Sequence, residues 1–107
     1  MRPGQAKVPR PGELIRLVRL LASQGKMRFT THALEDRMGL RGIELDDVLQ
    51  ILKHGDIDGR IVPGKRPGEW KCLVVGKLAW TPREAGVATI VVRQDHLIII
   101  TTEWMDL

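Results

Sequence analysis

The stretch Ile43-Glu44-Leu45-Asp46-Asp47-Val48-Leu49-Gln50-Ile51-Leu52-Lys53-His54-Gly55 is where the periodicity of the chain changes. Val48, Ile51 and Leu52 recur at helical spacing. Glu44 stands at an N-cap with Asp47 three residues on, and Ile43 and Val48 are placed to pack on each other across the first turn, as in a capping box with a hydrophobic staple. Gly55 ends the helix. Beyond it the apolar period moves from 3.6 towards 2, the signature of strands. Helices before this point and strands after it predict an α+β fold, with helices packed on one face of a small antiparallel sheet.

Upstream, Leu14, Val18, Leu21 and Ala22 make an amphipathic helix over 13–23, with Gly25 as its stop. Met27 to Thr30 reads as a short extended stretch. Thr31 then caps a helix from His32 to about Met38, closed by Gly39. Downstream, residues 57–62 read as an irregular strand and Pro63-Gly64-Lys65-Arg66-Pro67-Gly68 as a basic turn. Strands are predicted over 70–75, 87–93 and 97–102. Gly76 to Gly86, which contains Pro82, reads as a long connection, and Gln94-Asp95 as a tight hairpin without glycine. Leu97 to Ile100 is apolar without alternation, which predicts a central strand buried on both faces.

With 107 residues the chain suits one domain, 13–107, preceded by a basic Pro/Gly-rich arm over 1–12 that has little apolar surface to order it. Residues 1–30 carry seven Lys and Arg against one acid, whereas 31–60 carry four against seven. The amino-terminal third is therefore where a polyanion would be drawn first. Arg16 and Arg19 interrupt the first apolar segment, so neither a membrane span nor a secretory signal is read, and a cytoplasmic protein is expected. Cys72 is the only cysteine and falls in a strand as a small core residue.

His32, Arg37 and Arg41 are the chemistry-bearing residues of the 29–43 segment. Metal-free RNA cleavage needs a base for the 2′-hydroxyl, a cation on the phosphate and an acid for the leaving oxygen, and histidine with two arginines supplies these types. The other reading stands beside it: His32 bonds Glu35 or Asp36 at a helix start, and Arg37 and Arg41 fasten one helix to the next through Asp46 or Asp47. Five helical residues also turn Arg37 about 140° from His32. On the sheet, Lys71, Lys77 and Arg93 could wall a cleft, and Trp70, Trp80 or Trp104 could stack on an unpaired base. Alternation puts Trp70 and Lys71 on opposite faces, so one ligand does not meet both. Trp104, beside the carboxyl terminus, is the tryptophan expected to be exposed for docking, and His54 and His96 are expected at the surface.

His32, His54, His96 and Cys72 lack paired ligand spacing, so no metal or other cofactor is expected. No phosphate-cradling glycine motif occurs, and Ser23 is the only serine.

Phe29-Thr30-Thr31-His32-Ala33, Arg37-Met38, Arg41-Gly42-Ile43 and Asp47-Val48, with Trp70-Lys71-Cys72 and Ile99-Ile100-Thr101 later, resemble the small bacterial family catalogued as domain of unknown function 4258. That family is grouped with toxins of the RelE and ParE kind, and the amino-terminal helix with its Gly25 stop is also similar to the start of MqsR. The resemblance implies a RelE/MqsR-like fold and a toxin-like endoribonuclease of a type II toxin-antitoxin system. Such a protein would cleave messenger RNA, free or on the ribosome, and be covered by a cognate antitoxin. It also leaves open a non-catalytic protein- or nucleic-acid-binding module of the same fold. Nucleases of this group often place a tyrosine at the scissile phosphate; this chain has no tyrosine, which excludes a site of that kind.

Overall fold

In the computed structural model the described residues are 7–38 and 42–106, with the side chains of 36–38 outside the description. Helix α1, Pro11–Ser23, begins with proline at a position whose N–H needs no partner. It therefore takes in two residues that the sequence assigns to the arm. Leu14, Ile15, Val18, Leu21 and Ala22 form its buried face. At its end Gly25 adopts φ +70°, and Lys26 N–H reaches back to Leu21 O at 2.9 Å. This is the left-handed closure that glycine permits. Arg19 ties α1 to the far end of α3 by donating to Gly55 O at 2.9 Å and to Asp56 Oδ1 at 3.2 Å.

Strand β1, Met27–Phe29, is followed by helix α2, His32–Met38, which is wound as a π-helix, and by α3, Leu45–His54. The α3 start is as the sequence predicts. Glu44 N–H donates to Asp47 Oδ2 at 3.0 Å, and Ile43 and Val48 are both fully buried. The cap of α2 is one residue earlier than predicted. Thr30, not Thr31, accepts Ala33 N–H on its hydroxyl at 3.1 Å, because that hydroxyl also donates to Ile100 O at 3.0 Å and is held by the sheet.

Strands β2, Asp56–Pro63, β3, Glu69–Leu78, β4, Thr81–Val92, and β5, His96–Trp104, complete a five-stranded sheet in the order β1-β5-β4-β3-β2. The fold is α+β as expected, but the sheet is mixed. β1 lies parallel to β5, with Met27 opposite Leu97 and Phe29 opposite Ile99. Two further corrections concern the strands. Gly76 to Gly86 is not a loop: β3 and β4 pair almost to their ends around a turn at Ala79-Trp80. Pro82 falls where the register shifts between the pairs Lys77–Glu84 and Leu78–Thr81, a place where its missing N–H costs no ladder bond. β5 is one strand in from the edge and is buried on one face only. Leu97 and Ile99 are fully buried, whereas Ile98 and Ile100 keep partial exposure.

One face of the sheet, carrying Cys72, Val74, Val87, Thr89, Val91, Leu97 and Ile99, is covered by α1 and α3 and forms the core with them. The register places Lys71, Leu73, Ala88, Ile90 and Ile98 on the opposite face.

Candidate functional site

His32 opens α2 just beyond the carboxyl end of β1, and its side chain is exposed. Its position is set by Thr30: the backbone N–H donates to Ile99 O at 3.0 Å, the hydroxyl bridges Ile100 O and Ala33 N–H, and Leu34 N–H returns to Thr30 O at 3.1 Å. A helix start anchored by four hydrogen bonds at one residue is a rigid mount for the side chain two residues on. The Arg37 side chain and the whole of Arg41 lie outside the described residues, so their relation to His32 is not part of this geometry.

Trp70 and Arg93 do come together. They line a hollow of about 590 Å³ with Pro9, Glu13, Leu14 and Gly68, at the end of the sheet away from His32. Arg93 is held there by the turn between β4 and β5. It takes the positive φ of 55° that the sequence left without a glycine, and its N–H donates to Gly68 O at 2.7 Å. Arg66 adjoins Arg93 in the next depression, and Lys7 and Arg10 adjoin Glu13 on the other side. The cations of the arm and of the basic turn thus border the same end of the molecule. Lys71 is elsewhere: it is exposed on the sheet face that the helices leave open, paired across the ladder with Ile90. The candidate residues therefore occupy three separate places, and Trp70 and Lys71 are on opposite faces as alternation implies. β1 and β3 stand three strand spacings apart, about 14 Å.

A fourth place brings together residues that the sequence did not connect. At the Ala79-Trp80 turn, Trp80 Nε1 donates to Asp47 Oδ1 at 3.0 Å, and its ring meets Trp104 edge-on at 5.9 Å. The Arg83 guanidinium stacks 4.0 Å above Trp104 and bonds both oxygens of Asp106 at 2.9 and 2.8 Å. Those hydrogen bonds hold the Asp106 carboxyl below the usual carboxylate range and raise the Arg83 guanidinium further. The expectation for Trp104 is reversed, since it is 8% exposed whereas Trp80 is 60% exposed. β5 runs two residues beyond its predicted end, so Trp104 is still in register opposite the small Ala85 and is packed there. Spacing offers no signal for this cluster, because Asp47 and Trp80 are 33 residues apart.

Cys72 is a core residue as expected, and burial pushes its thiol up to about 11. His54 is exposed; His96 is half-buried, its Nδ1 2.6 Å from Asp95 Oδ2. Among the described residues no three of His, Cys, Asp and Glu gather as metal ligands, and no helix is long and apolar enough to cross a membrane.

The architecture is that of a small α+β protein whose first strand is returned beside its last. The chain belongs to the family described as Domain of unknown function (DUF4258), whose model matches residues 29–104. No curated protein and no solved structure matches it. The match includes His32, the capping box and the aromatic cluster as far as Trp104, and begins after α1.

Proposed function

We propose that this chain is a toxin-like endoribonuclease of the RelE/ParE/MqsR group, acting on messenger RNA without a metal or cofactor and covered in the cell by an antitoxin. The observation that carries the reading is the mount of His32: an exposed histidine at a helix start clamped through Thr30, just past the end of β1, to the middle of β5. His32 takes the proton from a ribose 2′-hydroxyl. The freed oxygen attacks the adjacent phosphorus, the bond to the 5′ oxygen breaks, and that oxygen takes a proton from water as it leaves, giving a cyclic phosphate and a 5′-hydroxyl. The hydroxide so formed is neutralised by the proton that His32 gives up. Arg37 and Arg41 hold the phosphate, supplying paired N–H donors to its oxygens. An antitoxin segment can add to the three-residue edge strand β1, because the other edge, β2, is interrupted by a register shift between Asp58 and Val62 and ends on Pro63.

A second reading is favoured by one specific observation. Trp70 and Arg93 form a cation-bordered hollow remote from His32, which suits a module that grips a nucleic-acid strand or a protein without cutting it.

Induced expression in a bacterial host, with growth and the 5′ ends of messenger RNA followed together, separates the two. The parent is expected to arrest growth and create new 5′ ends. His32→Ala and the double change Arg37→Ala with Arg41→Ala, once shown to fold, are expected to abolish both. Arrest without new ends, unaffected by His32→Ala and removed by Trp70→Ala with Arg93→Ala, would replace the nuclease by the binding module. Neither arrest nor new ends would overturn the toxin reading.

A further inference from the structure

At the end of the molecule away from His32 three depressions run into one another. The hollow of Trp70 and Arg93 shares Arg93 with the depression of Arg66, and shares Pro9 and Glu13 with that of Lys7 and Arg10. Together they make one groove with an apolar, aromatic centre and cations at both ends. Pro9, Leu14 and Leu17 wall the centre, where Trp70 is half-buried, packed against the core and also lining the hollow. Arg93 is fixed in place from below. A Cβ on Gly68 would lie 2.9 Å from Arg93 Cγ, so the glycine leaves the space that the arginine stem occupies.

Lys7, Arg10, Arg66 and Arg93 are exposed along this groove and make no ion pair among the described residues. Three acids stand among them. Glu69 Oε1 accepts Arg66 N–H at 3.4 Å and Asp95 Oδ2 lies 2.6 Å from His96 Nδ1, so two of the three are engaged within their own turns. The third, Glu13, lines the central hollow, and its carboxylate has no partner among the described residues. An acidic peptide suits the cations but brings carboxylates to Glu13 and no flat ring to Trp70. An unpaired nucleotide suits every part. Its base has a face for Trp70 and N–H donors for Glu13, which can only accept, and its flanking phosphates meet the cations on either side. A paired base hides both face and edge, which restricts the ligand to a single strand. At about 590 Å³ the hollow is in the size range of small-ligand sites, room enough for one base with its sugar.

We propose that this hollow is a subsite for one unpaired base of a single-stranded nucleic acid, with Trp70 stacking on the base, Glu13 reading its edge and Arg93 holding an adjoining phosphate. Guanine is the preferred base. It presents an imino N–H and an amino group side by side, a match for the two oxygens of a carboxylate, whereas uracil presents a single N–H. The assignment rests on the second reading above, in which a strand is gripped at this hollow, and is independent of cleavage at His32.

Fluorescence anisotropy of the full chain with labelled 2′-O-methyl pentanucleotides tests this, since such strands have no 2′-hydroxyl to be cut. The probes are uridines with guanine, uridine or an abasic sugar at the centre. The parent is expected to bind the guanine strand at low salt, more tightly than the uridine strand and about tenfold more tightly than the abasic one. Trp70→Ala should bring the guanine strand down to the abasic level. Arg93→Gly should weaken all three strands and reduce the slope of log affinity against log salt by about 0.7, the share of one phosphate on a single strand. Its fold should be kept, because residue 93 is at φ 55°, which glycine adopts freely. Glu13→Gln should remove the preference for guanine while leaving the uridine strand bound at least as tightly. Binding of all three strands alike, untouched by Trp70→Ala, would overturn the base subsite and leave the gripped strand standing. No binding of any strand would overturn both, and an oligoglutamate peptide that then bound through Arg93 would make the hollow a protein-docking site. Should Trp70→Ala fail to fold, the abasic strand and Glu13→Gln still decide, since neither alters the core.

Discussion

Asp47 receives hydrogen bonds from two elements at once, from Glu44 N–H at the start of its own helix and from Trp80 Nε1 at the β3–β4 turn, while being 9% exposed. A buried carboxylate needs such partners, so removing either should be felt at the other. Asp47→Asn is expected to lower stability by about 1–2 kcal/mol. Trp80→Phe should lower it by about 1 kcal/mol, and the two changes together by less than the sum, as read from urea unfolding. Cys72 gives a pH-dependent counterpart. Its thiol is raised from 9.0 to about 11 in the folded chain, so the unfolded chain releases the proton first. The contribution is fully present below pH 9 and is lost as pH rises towards 11, by about 2–3 kcal/mol. Unfolding titrations across that window should show the decline, and a maleimide should leave the thiol unmodified at neutral pH until denaturant is added.

At the scale of elements, the sequence was most legible where a signal is local. The staple and box around α3, the Gly25 stop and the alternation of Trp70, Lys71 and Cys72 all depend on neighbours within a few residues. The failures share a cause. Gly76 and Gly86 look like breakers, yet both are paired within the β3–β4 ladder, Gly76 opposite Ala85 and Gly86 opposite Val75, and the strands run through them. The parallel place of β1 and the cap at Thr30 depend on β5, about seventy residues away. The candidate site was legible as residue types and not as a place, because spacing cannot say which side chains the sheet separates. Two outcomes follow at this scale. Thr30→Val should destabilise by about 1–2 kcal/mol and, on the nuclease reading, reduce cleavage by loosening His32. Gly55→Ala should cost more than about 2 kcal/mol, because the added carbon would sit 2.5 Å from Val75 O and backbone cannot yield. Thermal melts rank the two.

For the molecule as a whole, the family match begins at Phe29, yet the core does not. α1 contributes Leu14, Ile15, Val18, Leu21 and Ala22 to it. The four larger side chains, at about 1.5–3 kcal/mol each, rival the entire stability of a typical domain, about 5–15 kcal/mol. A fragment of residues 26–107 holds every residue of the match and is still expected to lose cooperative unfolding by calorimetry. Adding residues 7–25 as a separate peptide should restore part of it.

The position of β5 also has a consequence for synthesis. It is the last of the five strands to be made and the one that joins β1 to the meander, so until it has left the ribosome α2 lacks its anchor and β1 its neighbour. The mount of His32 is thus completed only when a strand about seventy residues further along the chain has entered the sheet beside it.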